Sequence, residues 1–198
     1  MKEISYWVEE RRKDNNRQPP TKPSFINLKA GEKGIPSNIT VASFLNTARD
    51  WKLQVDLGRR VKIPEYIMST QLKPDLILTS DLTKQMVVME LTVPLEDRIE
   101  ISAELKKSKY EQLIKESAKS KLKTIIYTVE VGCRGFAASS LSYFLKDLGY
   151  VGKEKTKIIK KVEYEAERAS NNIWNWSHMK TWGTEEPNLN ENFRPDHQ

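Results

Sequence analysis

Two acidic residues sit where acids are hard to accommodate. Glu90 lies within VVMELTV, an apolar run of the kind that becomes a strand buried on both faces of a sheet, where an unpaired charge is costly. Asp75 follows Pro74 and opens a second apolar run, PDLILTS. A short turn between the runs would bring the start of the first beside the end of the second. Two carboxylates held side by side repel, and the repulsion is relieved by a raised pKa on one of them, by an adjacent cation or by a bound divalent metal. Hard cations such as Mg²⁺ or Mn²⁺ take oxygen ligands, commonly one or two carboxylates together with substrate phosphate oxygens, and can activate water for attack on phosphorus. On the functional reading the pair would hold a metal for phosphodiester hydrolysis. The plainer alternative is that Asp75 caps a turn and Glu90 pairs with a lysine.

The elements that must position this pair follow from periodicity. SDLTK is a turn, which makes the two apolar runs a hairpin, and Pro94 ends its second strand. Residues 96–119 then run without Gly or Pro, acidic early and lysine-rich late, as the helix dipole favours. At 100° per residue Ile99, Ala103, Tyr110, Leu113 and Ser117 share one face, with Lys106 in the middle of it. An inward ammonium there can offset carboxylate repulsion, orient the attacking water or stabilise charge on a phosphate, or else lay its stem across the core edge. Lys107 borders the stripe and Lys109 lies further off, so both are weaker candidates. TIIYTVEV reads as a buried strand and carries a third acid, Glu130, beside Cys133 and Arg134. Glu130 either lines the same cleft or forms an ion pair with Arg134, the pair being the preferred expectation.

GCRG breaks that strand before a helix over residues 136–148 closed by Gly149, and a lysine-rich helix covers 153–182. Upstream, residues 3–13 suit a short charged helix, and DNNRQPPTKP reads as a linker. A segment from residue 39 has helical spacing at Val41, Phe44, Leu45 and Ala48. Its period changes near Asp50 to the strand-like alternation of Trp51, Leu53, Val55 and Leu57. The order of elements defines an α/β domain.

Lys and Arg outnumber Asp and Glu by 33 to 27, so the net charge of +6 favours polyanionic partners. A single cysteine, Cys133, excludes an internal disulfide or cysteine-based zinc site and is expected to pack as a small buried hydrophobe in a reducing compartment. With only His178 and His197 besides, a metal must rely on oxygen ligands. No apolar run has the length of a membrane span and the N-terminus has no secretory pattern, so a soluble, intracellular protein is expected.

The segments DWKLQVDL, LKPDLIL, MELTVPLED, ELKKSKYEQL and VEVGCRGF resemble the PD-(D/E)-x-K nuclease superfamily over roughly residues 43–149. Within it they are similar in particular to the restriction-like endonuclease domain of site-specific non-LTR retrotransposons. The resemblance implies a restriction-endonuclease-like fold, Asp75 and Glu90 as metal ligands with the main-chain carbonyl of Leu91 as a further one, and Mg²⁺ or Mn²⁺ as cofactor. Thr92 stands where the superfamily usually has its lysine. Some branches place that lysine on the neighbouring helix, where Lys106 is the matching position and Tyr110 completes the pattern. Neither a zinc knuckle nor a reverse transcriptase accompanies the segment, so an isolated domain, a processed fragment or a domesticated remnant is expected.

The combined expectation is a mixed central sheet flanked by helices over residues 24–182, preceded by a helix and linker at 1–23 and followed by a disordered tail at 183–198. Asp75, Glu90 and Lys106 would carry DNA hydrolysis. Lys153, Lys155, Lys157, Lys160 and Lys161 would contact the DNA backbone or form a solvated helix face. The resemblance adds a nuclear location, and a homodimer is a further expectation. The rival reading is an inactive DNA-binding or protein-interaction module, for which Thr92 is the warrant. Trp174 and Trp176 would serve such a module or, by the preferred expectation, pack on the core.

Overall fold

The hairpin forms because its turn is built by polar groups outside it. In the computed structural model, which describes residues 1–18, 42–58, 61–63 and 70–178, β2 (Leu76–Ser80) and β3 (Gln85–Thr92) pair antiparallel. Asp50 caps the connecting turn, its Oδ2 accepting the N–H groups of Asp81 and Leu82, each at 2.9 Å, and its Oδ1 the Ser80 hydroxyl at 2.6 Å. Lys84 closes the turn in the left-handed region at φ +52°. β1 (Lys52–Val55) adds antiparallel to the outside of β2, while β4 (Lys123–Glu130) lies parallel to β3. A parallel pair needs a long crossover, and helix α2 (Ile99–Lys119) supplies it. The result is a four-stranded mixed sheet in the order β1-β2-β3-β4.

Both faces are covered, which is why β2 and β3 read as continuous apolar runs rather than alternating ones. On one face Tyr110 and Leu113 of α2 pack on Ile77, Met86 and Val88. On the other, helices α1 (Lys2–Arg17), α3 (Ser139–Leu148) and α4 (Gly152–Ser177) bring Ile4, Val8, Leu141, Phe144, Leu145, Ile158 and Val162 against Leu76, Leu78, Val87, Met89 and Val129.

Several boundaries differ from the sequence expectations, each for a tertiary reason. The N-terminal helix is not an appendage to a unit starting near residue 24. It continues to Arg17, and Ile4 and Val8 are core residues at 1% and 0% exposure. Its polar end, expected as linker, docks through Asn15 Nδ2 on the Ala48 carbonyl at 2.8 Å and Asn16 Nδ2 on the Trp51 carbonyl at 2.9 Å. Those acceptors also explain why the expected helix before Trp51 is only a 3₁₀ turn over Phe44–Thr47. The Leu45 carbonyl accepts the Ala48 N–H at 3.3 Å as the last bond of the turn and is shared with the Trp51 indole N–H, while the Ala48 carbonyl goes to α1. Residues 39 and 41 lie outside the described residues, as do the rest of the linker, residues 179–182 of the last helix and the tail. Residues 96–98 form a 3₁₀ turn ahead of α2. α3 starts at Ser139 rather than at residue 136, because Ala137 first bridges to Val131 beside β4.

Candidate functional site

The register of the hairpin builds the site. Leu76 pairs with Met89, so the next step along the ladder sets Asp75 opposite Glu90 and Pro74 opposite Leu91. The Val131 N–H donates to the Thr92 carbonyl at 3.0 Å, which turns the amide groups of Thr92 toward β4 and those of Leu91 toward β2. Pro74 has no N–H to continue the ladder there. The Leu91 N–H donates instead to Asp75 Oδ2 at 2.7 Å, and the Leu91 carbonyl faces the same opening with no ladder donor opposite. The Asp75 carbonyl accepts the Asp56 N–H at 2.8 Å, which fixes the residue from the β1 side. The proline and the aspartate thus act together: one ends the ladder and the other occupies the vacated position with a carboxylate.

Glu90, 4% exposed, points to the α2 face, where Lys106 is turned inward. Its Oε1 accepts from Lys106 Nζ at 2.5 Å and Lys109 Nζ at 3.1 Å, and its Oε2 from the Tyr110 hydroxyl at 2.7 Å. Lys106 and Tyr110 are four residues apart and share a helix face, so one helix supplies both ends of the grip. Lys109, which helical spacing placed off the stripe, reaches in across the Tyr110 ring, 5.0 Å from its centroid. A long flexible stem makes up for an unfavourable angle.

The two carboxylates have different proton demands. Burial raises the pKa of Asp75, and the neighbouring Glu90 charge adds to the rise against the opposing Leu91 N–H and Lys106. Burial pushes Glu90 upward too, but the hydrogen bonds from Lys106, Tyr110 and Lys109 outweigh it and hold the carboxyl below its ordinary value. Burial and the bond to Glu90 push the Tyr110 phenol upward, so it stays a donor at neutral pH. The site therefore presents one well-compensated carboxylate and one, Asp75, whose burial outweighs the pull of the Lys106 and N-terminal ammonium groups.

Such an arrangement can receive a hard cation. Asp75, Glu90 and the Leu91 carbonyl are oxygen donors converging at one end of the sheet, and the under-compensated Asp75 is where added positive charge gains most. Among the described residues no group of three or more His, Cys, Asp or Glu side chains is placed to hold a metal, so an ion here would depend on that main-chain carbonyl.

Thr92 and Glu130 face each other in the β3–β4 register, one alternation beyond Glu90. The expected ion pair between Glu130 and Arg134 does not form. Glu130 Oε2 instead accepts the Ser140 hydroxyl at 2.7 Å, and Arg134 lies 3.9 Å from Glu96. The chain turns sharply at residues 132–135, carrying Arg134 over to Glu96, whose carboxylate also accepts the Arg134 N–H at 2.8 Å. Ser140 carries no acid–base signature and was invisible in the sequence. The Glu130 Oε1 and Thr92 Oγ1 atoms are buried without a protein partner. Lys107 is exposed. Cys133 is only partly buried, near Glu96, rather than a core residue.

The lysines of α4 do not reach this site. Lys153, Lys155, Lys157 and Lys160 line a shallow depression around the start of α4, Lys155 donating to the Ser142 hydroxyl at 3.0 Å, and Lys161 lies 3.6 Å from Glu3. The part of α4 beside the Leu91 side chain begins at Val162, about 10 Å along the axis from Lys155 and next to Lys161, whose ammonium turns to Glu3. Trp174 is 65% exposed instead of packed on the core, because α4 runs on past the last core contact near Val162 and Ala166; Trp176 is partly buried. No helix among the described residues is long and apolar enough to cross a membrane. No family model matches the chain, and no curated protein matches it in sequence.

Proposed function

We propose that this protein is a divalent-metal-dependent DNA endonuclease of the restriction-endonuclease-like fold, derived from a transposable element and hydrolysing phosphodiester bonds. The observation that carries the reading is the convergence of Asp75, Glu90 and the Leu91 carbonyl at a ladder position that Pro74 leaves open, with Lys106 beside them. The donor set fits Mg²⁺ or Mn²⁺, with Asp75, Glu90 and Leu91 as ligands. Such an ion would polarise the scissile phosphate and lower the pKa of attacking water. The protein's own groups do the rest. Tyr110 fixes the orientation of Glu90, Lys106 keeps a positive charge next to the carboxylates where an attacked phosphate would gain negative charge, and Lys109 shares that load. DNA as the partner agrees with the net charge of +6. A homodimer and a nuclear location belong to the same reading.

A second reading has its own observation. Thr92 replaces the usual lysine, and Glu90 is satisfied by two ammonium groups and a phenol without any metal. That would suit an inactive DNA-binding or protein-interaction module held together by an ion cluster. Cleavage of supercoiled plasmid and branched oligonucleotides with Mg²⁺ or Mn²⁺ decides between them. Cleavage by the wild type that is lost in Asp75→Ala, Glu90→Ala and Lys106→Ala supports the nuclease. DNA binding without cleavage by the wild type supports the module.

A further inference from the structure

The two edges of the sheet are not alike. β1 is four residues long with Lys52 and Gln54 exposed, features that keep an edge from pairing. β4 runs for eight residues, and between Lys123 and Glu130 every side chain is β-branched or aromatic, with no charge and no proline. Residues 124–127 are partly exposed although the run is as apolar as the buried one in β3, because β4 has a strand on one side only. The parallel register turns the amide groups of odd-numbered residues toward β3: the Lys123 N–H donates to the Lys84 carbonyl at 2.9 Å and the Val131 N–H to the Thr92 carbonyl at 3.0 Å. Those of even-numbered residues face outward. At the two ends they are used. The Leu122 N–H donates to the Ser117 carbonyl, while the Glu130 N–H donates to the Ser140 hydroxyl and its carbonyl accepts from the Ala138 N–H. Between these ends the N–H and C=O groups of Thr124, Ile126 and Thr128 have no hydrogen-bond partner among the described residues. Thr124 Oγ1 is also buried without one.

We infer that this edge pairs antiparallel with the same edge of a second copy of the chain, about a two-fold axis at Ile126. Symmetry selects the occupant. The open stretch is centred on Ile126, so one register meets all of its groups: Thr124 exchanges N–H···O=C bonds with the partner's Thr128, and Ile126 with the partner's Ile126. The same register sets Ile125 opposite the partner's Tyr127, a favourable β-branched and aromatic pair. It also brings Thr124 beside the partner's Thr128, which gives the orphaned Oγ1 a hydroxyl to bond. Ile114, 43% exposed, lies on the flank of α2 opposite Lys109. Lys109 reaches to β3, so Ile114 is on the β4 side, where a second copy covers it. The pairing gives the homodimer of the nuclease reading a surface, but it rests on backbone geometry and holds whether or not DNA is cut.

Sedimentation velocity of the full chain over about 1–100 µM reads the association. The expected result is a concentration-dependent dimer whose Kd rises about tenfold or more in Thr124→Pro, because proline removes an outward N–H and leaves the bonds to β3 in place. Thermal melting reports whether that variant is folded. A cross-link provides a test that does not depend on it. In a Cys133→Ser background, Ile126→Cys places two thiols on residues whose Cα atoms are about 5.5 Å apart across the axis, within disulfide range. Mild oxidation is expected to give a covalent dimer there and none with Gln54→Cys on β1. A chain that stays monomeric and does not cross-link overturns the inference. So does a dimer indifferent to both changes, which must use another surface. Slow hydrogen exchange at the Thr124, Ile126 and Thr128 amides of a monomer overturns it as well, by showing that another segment of the chain covers the edge. None of these outcomes alters the cleavage assay, which tests the nuclease reading separately.

Discussion

The grip on Glu90 makes a quantitative prediction about Lys106 and Lys109. Both ammonium groups meet the same oxygen of a carboxylate that is 4% exposed, so each compensates for the loss of the other. Lys106→Met removes the closer contact but leaves Lys109 and Tyr110 in place, and its half-exposed setting screens the loss to about 1–2 kcal/mol. Lys109→Met, at the longer distance and more exposed, is expected to cost under about 1 kcal/mol. The double variant strands a buried charge on a single phenol hydrogen bond and is expected to cost about 3–5 kcal/mol, more than the sum of the singles. Urea denaturation at pH 7 measures all four members of the cycle. The pH dependence gives a second handle. Glu90 has a depressed pKa in the folded wild type, so its contribution is present at neutral pH and is lost as the pH falls through that folded value. Without both lysines burial raises the Glu90 pKa, and the double variant should gain stability on acidification from pH 7 toward pH 5. Mg²⁺ should also stabilise the double variant more than the wild type if the ion takes over the vacated role. Small, additive losses with no coupling and no change in pH dependence would refute the claim that the lysines hold Glu90 charged.

Other consequences are open to direct measurement. Burial raises the Asp75 pKa, so its contribution to stability is full below the unfolded pKa and is lost as the pH rises through the folded one. Asp75→Asn, which retains an acceptor for the Leu91 N–H, is therefore expected to raise Tm at pH 7 by a few degrees, about 1 kcal/mol, with the gain vanishing toward pH 4. Glu130→Gln removes a buried charge with one unpartnered oxygen while keeping an acceptor for Ser140; stability measured by thermal melting at pH 7 should rise by about 1 kcal/mol, and a large loss would show that Glu130 is held by something else. Asn15→Ala breaks a buried bond to the Ala48 carbonyl and should cost about 1–2 kcal/mol in chemical denaturation, whereas no cost would mean that α1 is not docked as described. Charge reversal at Lys153, Lys157 and Lys160 together is expected to change DNA affinity and its salt dependence at most, leaving kcat unaltered, because these residues line a depression around the start of α4 and make no hydrogen bond or ion pair with Asp75 or Glu90.

The sequence alone determined the parts of this protein that depend on local pattern. The hairpin, the break at Pro94 and the Gly- and Pro-free helix follow from side-chain period and backbone restriction, which act between neighbours in the chain. The same logic brought Asp75 beside Glu90, since a tight turn fixes the register of the strands it joins, and set Lys106 on the inner stripe of the helix. The tertiary structure decided what depends on partners distant in sequence. How far the turn at residues 44–47 runs depended on Asn15 engaging the Ala48 carbonyl and Trp51 sharing the Leu45 carbonyl, and whether the N-terminal helix belonged to the core turned on Ile4 and Val8 finding the sheet. Ser140 as the partner of Glu130, and Lys109 as the second cation on Glu90, depended on a crossing chain and a stem of variable reach. The distance between the α4 lysines and Asp75 was likewise undetermined by spacing, because a helix fixes distances along its own axis and leaves open which stretch of it approaches the sheet.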